Sequence, residues 1–146
     1  MRQPCSSYTE TPSSQSSTYS TMYFRGDPNG WGNNATTVDP MTKVGKNTWQ
    51  TLQVFEANGK GKGFKFTTAP YDWGQVHFGA SNTEGTASMW GADNIKTTNA
   101  GPYIVKFNDS TLKYTLTPFE QPIYIWNWVS KESPYLATIW ITRPAR

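Results

Sequence analysis

Apolar and polar positions alternate in short runs between residues 22 and 118, and turn residues separate these runs. The alternation is plainest in TWQTLQVFE (48–56), where the odd-numbered positions 49–55 fall on one face of an extended chain. A period of two is typical of a β-strand that buries one face. The same reasoning predicts further strands at 22–26, 64–68, 76–79, 102–107 and 112–117.

The clearest pair of strands is PYIVKF (102–107) and LKYTLT (112–117), which the short polar loop NDST joins. Two alternating runs with such a loop between them predict a β-hairpin. No window has the 3.6-residue period of an amphipathic helix. Six or seven short strands over 22–118 therefore predict an all-β fold, an antiparallel β-sandwich.

Composition divides the chain into three parts. Residues 6–20 hold ten Ser or Thr in fifteen positions, so we expect 1–20 to be a disordered tail or a linker. Residues 21–118 carry the strand pattern of the sandwich. Residues 119–146 contain the apolar runs IYIWNWV and YLATIWI. This last part fits added strands, the beginning of a following domain, or sequence of artificial origin.

Charge and rare residues exclude several classes of function. A net charge of +3 is too small to indicate nucleic acid binding by itself. The chain contains no run of 18 apolar residues, so the sequence predicts no membrane span. Cys5 is the only cysteine and His77 the only histidine, so no Cys/His metal cluster is expected. We expect neither a metal nor a cofactor.

No catalytic arrangement stands out. The chain has no G-x-S-x-G motif, and most of its serines lie in the N-terminal segment. Glycoside hydrolysis needs two carboxylates at a fixed separation, but the acidic residues of 21–118 lie mostly in turns, where Asp commonly bends the chain. We therefore expect no catalytic residues and no enzymatic activity.

Tryptophans in polar loops give the strongest indication of a site. Aromatic residues make up 15% of the chain, and Trp31, Trp73 and Trp90 lie outside the alternating runs. An indole in a loop either plugs the end of a core or meets a ligand, and three together favour a ligand. A sugar ring packs its C–H face on an indole, while its hydroxyls need polar partners. The polar residues near these tryptophans are Lys65, Asp72, Gln75, His77, Asp93 and Asn94.

The order of the motifs YFRGDPNGW, NTWQTLQVFE, FKF and YDW resembles that of starch- and glycogen-binding modules attached to bacterial α-amylases. The glycogen-binding domain of the AMP-activated kinase β subunit is related to these modules. The resemblance covers 22–118 and implies an immunoglobulin-like β-sandwich. It also implies that Trp31, Lys65 and Trp73 contact glucan, with Asn94 as a further contact. The long stretch 75–94 departs from the kinase-type domain and favours Trp90 in that place.

The residues and the resemblance together predict a non-catalytic module that binds starch, glycogen or maltooligosaccharide. Its partner in the same protein would be a linked catalytic domain of the amylase type, and the whole would be secreted. Trp73 and Trp90 would form a bent platform flanked by Trp31. The side chains expected to hydrogen-bond sugar hydroxyls are Lys65, Asp72, His77 and Asn94.

Three other functions stay open from the sequence. A structural or protein-interaction sandwich would bury the same tryptophans at an interface. A single-strand nucleic acid binder also uses lysines and aromatic rings, although the small net charge disfavours it. Binding of cellulose or xylan needs a flat or twisted platform, which the sequence does not distinguish from a bent one.

Overall fold

The computed structural model describes residues 8–56, 63–97 and 99–120. These residues form eight strands and one short 3₁₀ turn, Asp27–Gly32, which follows the first strand directly. The strands are β1 (Tyr23–Gly26), β2 (Thr42–Gly45), β3 (Thr48–Phe55), β4 (Phe64–Thr67), β5 (His77–Ala80), β6 (Ala87–Met89), β7 (Gly101–Asn108) and β8 (Tyr114–Pro118).

Tyr8–Phe119 form one structural unit. A second unit comprises Met1–Ser7 and Glu120–Arg146, of which only Glu120 is among the described residues. The three interpretations of 119–146 therefore concern a segment that lies, apart from its first two residues, outside the described part of the chain. The stretch GKGKG (59–63), whose glycines favour a flexible hairpin loop, also lies there, except for Gly63.

The described strands form two antiparallel sheets of four strands each. The first sheet has the order β1-β4-β5-β6, and the second has the order β2-β3-β7-β8. The predicted all-β sandwich is confirmed, and β7 and β8 pair as the expected hairpin. The finer immunoglobulin-like assignment stays a prediction. The sequence missed β2 (TKVG) and β6 (ASM), because each contains only one large apolar residue and so displays no apolar–polar period.

Phenylalanines from both sheets form the core. Phe66 of β4 stacks on Phe107 of β7 with ring centroids 4.2 Å apart and planes 11° apart. Phe24 of β1 stacks on Phe64 at 4.9 Å, and Phe55 of β3 packs against both of them. Aromatic rings thus fill the space between the sheets, which explains why the chain folds with few leucines.

Alternation places particular polar residues on the outer face of the first sheet. Phe64 and Phe66 of β4 point into the core, so Lys65 between them points outward. In the register of the sheet, Lys65 lies directly opposite Arg25 of β1. His77 of β5 lies opposite the β4 residue Thr67 and belongs to the same face. This face positions the candidate site.

The segment 8–20, predicted to be a disordered tail or linker, has no strand or helix but is hydrogen-bonded to the domain. The buried carboxylate of Asp109 accepts hydrogen bonds from the backbone N–H groups of Thr18 and Tyr19 and from the indole of Trp49. Further backbone hydrogen bonds join Ser13 to Lys43 and Ser16 to Asn47. The Ser/Thr composition does not reveal these contacts, because they use backbone groups that every residue carries.

Candidate functional site

Exposed apolar side chains concentrate in two loops beside the first sheet. Among the described residues, five large apolar side chains are exposed, and four of them lie in or next to these loops: Tyr71, Trp73, Met89 and Trp90. The first loop, 68–76, joins β4 to β5, and the second begins at Trp90 after β6. Trp73 is 37% exposed and Trp90 is 50% exposed. Both indoles are thus accessible to a ligand.

Four rings follow one another in contact, and we call them the aromatic row: Trp31, Trp73, His77 and Trp90. The ring centroids of Trp31 and Trp73 are 6.1 Å apart, and those of Trp73 and His77 are 5.7 Å apart. The row ends with His77 and Trp90, whose centroids are 5.0 Å apart. Residues that are far apart in the sequence therefore form one continuous aromatic surface.

The rings of the row are inclined to one another. The planes of Trp31 and Trp73 meet at 55°. The imidazole of His77 is nearly perpendicular to both of its neighbours, at 88° to Trp73 and 79° to Trp90. Consecutive rings therefore do not share one plane, and the aromatic row is not a flat platform.

Asp27 holds the first ring of the row. Its Oδ1 accepts a hydrogen bond from the indole Nε1 of Trp31 at 3.0 Å, and its Oδ2 accepts one from the backbone of Gly63 at 2.8 Å. One carboxylate thus connects the 3₁₀ turn to the beginning of β4. The polar edge of the Trp31 indole has its partner within the protein, so only the apolar surface of the ring is available to a ligand.

The turn that presents Trp73 is shaped by its own side chains. Oδ1 of Asp72 accepts a hydrogen bond from the backbone of Gly74 at 2.7 Å, an arrangement typical of an Asx turn. Oδ2 of Asp72 accepts a longer hydrogen bond from the amide of Gln75. Asp72 was predicted to bind sugar hydroxyls, and both of its oxygens already serve the turn.

Arg25 lies beneath Trp73. Its Cζ is 3.7 Å from the centroid of the Trp73 ring, which is stacking distance for a guanidinium on an indole. Its Nε donates to the carbonyl oxygen of Trp31 at 2.8 Å, and its Nη2 donates to Oδ1 of Asn33 at 2.7 Å. The residue is only 1% exposed, and its Nη1 has no hydrogen-bond partner among the described residues.

The two cations of this face are held in a poorly hydrated environment. Burial lowers the pKa of Arg25, and the negative charge of Asp72 opposes this effect. Burial also lowers the pKa of Lys65, and Asp93 opposes the effect there. The Nζ of Lys65 lies 5.7 Å from the centroid of the Trp73 ring. An ammonium group in this position can donate hydrogen bonds to a ligand that rests on Trp73.

His77 contributes an acceptor as well as a ring. Its Nδ1 lies 3.2 Å from the carbonyl oxygen of Gln75. Because a carbonyl oxygen only accepts, this hydrogen bond assigns the proton of the neutral ring to Nδ1. Nε2 is then the acceptor that the imidazole can offer to a hydroxyl group. The carbonyl oxygen of His77 accepts a hydrogen bond from the backbone of Trp90 at 2.7 Å, which holds the fourth ring next to the third.

The loops around the row contain unusual backbone conformations. Trp31, Tyr71 and Trp90 have φ values of 68°, 67° and 63°, in the left-handed region that bulky residues rarely adopt. Each such residue costs about 1–2 kcal/mol relative to the right-handed conformation. Strained backbone of this kind clusters at functional sites, where the rest of the fold holds it in place.

The structure gathers most of the predicted site residues. The rings of Trp31, Trp73, His77 and Trp90 are in contact, Lys65 lies beside Trp73, and Asp72 shapes the loop that carries Trp73. Asn94 is half-buried beside Gly63, next to the bridge between Phe64 and Ile95.

Sequence reasoning missed Arg25 and Asp27. Arg25 alternates with Phe24 in the motif YFRG, so period-two reasoning places it on the outer face of its strand. Its position opposite Lys65 depends on the register of β1 and β4, which the local sequence does not show. Asp27 looks like an ordinary turn residue, and only the fold brings it to Gly63.

The residues that the structure describes contain no group of three or more His, Cys, Asp or Glu side chains that could hold a metal ion. Across those same ranges, no helix is long and apolar enough to cross a membrane. Comparison with known proteins gives no match: no family model, curated protein or solved structure is significantly similar to this chain.

Proposed function

We propose that the domain is a non-catalytic binding module for α-glucan, such as starch, glycogen or maltooligosaccharide. In this proposal it belongs to a secreted enzyme of the amylase type, has an immunoglobulin-like fold, and directs the linked catalytic domain to its polymer. Such a link raises the effective concentration of the enzyme at an insoluble substrate without new catalytic chemistry.

The aromatic row is the observation that carries this proposal. Trp73 and Trp90 expose large apolar surfaces in loops, and a water-soluble ligand with apolar faces is the class of partner that suits them. Sugars combine such C–H faces with hydroxyl groups. Lys65 offers donors and His77 offers an acceptor within the same group of side chains.

The inclination of the rings favours a bent ligand over a flat one. Planes at 55°, 88° and 79° do not match the flat surface of crystalline cellulose, whereas successive residues of a helical glucan turn relative to one another. Rings fixed in advance at such angles also lose little freedom on binding. A helical α-linked chain therefore fits this site better than a flat face of cellulose does.

Two measurements on the wild-type chain test the proposal. The first is retention on granular starch, and the second is titration of tryptophan fluorescence with maltoheptaose and with cellohexaose. We expect retention, and a fluorescence change with maltoheptaose that is much larger than the change with cellohexaose. Protein that stays in the supernatant and shows no response to maltoheptaose would overturn the proposal.

Salt dependence separates glucan from nucleic acid. A neutral sugar releases no counterions, so affinity should be nearly independent of salt between 50 and about 200 mM, whereas nucleic acid affinity falls steeply over this range. The same titration with oligo(dT) in place of maltoheptaose completes the test. Tight, salt-sensitive binding of oligo(dT) would contradict the glucan assignment.

A protein-interaction domain is the second candidate, and the exposure of Tyr71 and Met89 next to the row favours it. These two side chains enlarge the apolar surface beyond what the aromatic row itself requires. A protein partner would bury all of this surface, and the isolated chain would then show no fluorescence response to any oligosaccharide. The oligosaccharide titration thus distinguishes the two candidates.

A further inference from the structure

We infer that Arg25 is a positioning residue that fixes the Trp31 and Trp73 rings relative to one another and thereby determines which glucan curvature the site accepts. The inference rests on the proposed function, because it concerns the selectivity of the same site. It assigns a role in recognition to a side chain that is buried and that need not touch the ligand itself.

One guanidinium joins the two loops that carry these rings. Trp31 belongs to the turn after β1, and Trp73 belongs to the loop 68–76 between β4 and β5. Arg25 donates from Nε to the backbone oxygen of Trp31, while its Cζ lies over the Trp73 ring, 3.7 Å from the centroid. The first contact fixes the backbone of one loop, and the second supports the indole of the other.

A third contact completes the arrangement. Nη2 of Arg25 donates to Oδ1 of Asn33, directly after the turn that carries Trp31. Two donors on one rigid fork therefore hold both ends of the segment 31–33. A lysine in this position keeps the positive charge but has neither the fork nor the flat face, so it does not reproduce these contacts.

The burial of Arg25 lowers the stability of the fold unless its contacts with the two loops offset the cost. Its guanidinium is buried, and Nη1 lacks a hydrogen-bond partner among the described residues. Burying a polar N–H without an acceptor is unfavourable, because the hydrogen bond to water is lost and not replaced. The face of Trp73 offsets part of this cost through a cation–π contact, so the two side chains depend on one another.

Curvature selectivity follows from this dependence. A rigid cyclic glucan requires the two rings at one fixed angle, because it cannot change shape to suit them. A flexible linear chain adapts to rings that have moved. Loss of the Arg25 contacts should therefore weaken binding of the cyclic ligand more than binding of the linear one, whereas a general loss of folded protein weakens both equally.

The test compares β-cyclodextrin with maltoheptaose in wild type and in Arg25→Lys, by tryptophan fluorescence and calorimetry. We expect Arg25→Lys to lose about tenfold in affinity for β-cyclodextrin and only about two- to threefold for maltoheptaose. An equal change for both ligands, or no change for either, would overturn the inference and leave the proposed function intact. If the wild type binds neither ligand, the proposed function itself fails.

Asn33→Ala keeps the test decisive if Arg25→Lys does not fold. Asn33 is exposed, and its replacement removes one of the two hydrogen bonds from the guanidinium while Arg25 stays in place. We expect the same preferential loss for β-cyclodextrin, but a smaller one. Unchanged selectivity in Asn33→Ala would then overturn the inference. Lys106→Met, on the outer face of the second sheet, is the control that should leave both affinities unchanged.

Discussion

The outer faces of the two sheets each carry a lysine, but the two lysines lie in different environments. On the first sheet, Lys65 is 9% exposed and lies beside an indole. On the second sheet, Lys106 occupies the corresponding outward position of a strand and is exposed to water. The second arrangement is what a half-buried strand normally has. The two lysines therefore lie in different environments, and in the proposed function the first face is the one that meets the ligand.

The tryptophans repeat this contrast. Trp49 lies in β3, is 4% exposed, and donates its indole N–H to the buried carboxylate of Asp109. Trp73 and Trp90 lie in loops and keep much of their surface in contact with water. The first environment stabilises the fold, and the second is available for recognition. Substitutions on the two sides should therefore separate stability from binding.

We expect the largest change from Asp109→Ala, which removes the carboxylate that holds Trp49 and therefore lowers stability. The change leaves the N–H groups of Trp49, Thr18 and Tyr19 without their acceptor. We expect the free energy of unfolding to fall by about 2–4 kcal/mol, measured by urea denaturation. Ser110→Ala, at the exposed neighbouring position, is the control. Glucan affinity of the folded fraction should not change, and a loss of affinity would break the separation between the two sides.

Trp73→Ala tests the binding side. The indole lies in the middle of contacts with Trp31 and His77, so its removal interrupts the aromatic row. We expect the affinity for maltoheptaose to fall by about 2 kcal/mol or more, as for a central aromatic contact. Val54→Ala removes an exposed apolar side chain from the second sheet and should leave the affinity unchanged. Equal losses in the two variants would contradict the assignment of the site.

Replacement of the two lysines sharpens the comparison. Burial lowers the pKa of Lys65, so its charge destabilises the folded state at every pH below that pKa, and the penalty disappears as pH rises through the unfolded value near 10.4. Lys65→Met should therefore raise the free energy of unfolding by about 1 kcal/mol at pH 7 while weakening glucan binding. Lys106→Met should change neither quantity. A Lys65→Met variant that is less stable than the wild type would contradict this reasoning.

The smallest effect is expected at Asp39, which receives a hydrogen bond from Gln53 of the second sheet. Burial is the main cause that raises the pKa of Asp39. The folded state therefore binds this proton more tightly than the unfolded state does. The resulting stabilisation is complete below the unfolded pKa of about 4 and is lost as pH rises through the higher folded pKa.

Asp39→Asn removes this titration. We expect a rise in Tm of about 1–2 °C at pH 7 and a flatter dependence of Tm on pH above pH 4. Glu84→Gln, in an exposed loop, serves as the control and should leave the pH profile unchanged. A pH profile of Asp39→Asn that coincides with that of the wild type would exclude Asp39 as its source.

Local patterns predicted the sandwich because each long strand carries its own period. The odd-numbered positions 49–55 of β3 and the run 102–107 are long enough to show which face is buried. β2 and β6 contain one large apolar residue each and show no such period, and they form because neighbouring strands offer them hydrogen-bond partners. The hydrogen bonds of segment 8–20 were likewise not predictable from local sequence, because they are made by backbone groups and do not depend on the side chains.

The sequence predicts the aromatic residues of the candidate site, but it does not predict the residues that hold these rings in place. A tryptophan in a polar loop is visible from the sequence, as with Trp73 and Trp90. The contact of Arg25 with Trp73 depends on how a strand and a distant loop meet in the fold. The angles between the rings likewise follow from the tertiary arrangement. Composition therefore predicts an exposed aromatic surface, and only the tertiary structure gives the shape of that surface.

The left-handed backbone at Trp31 and Trp90 has a consequence for directed evolution. Glycine adopts that conformation without steric cost, so glycine at either position would relieve the backbone while removing a ring of the surface. A library screened only for heat resistance would therefore drift away from the half-exposed Trp90, while the hydrogen bond to Asp27 works against the loss of Trp31. A library screened first for retention on immobilised amylose would keep them, and the order of the two screens would decide whether an improved variant still has a working surface.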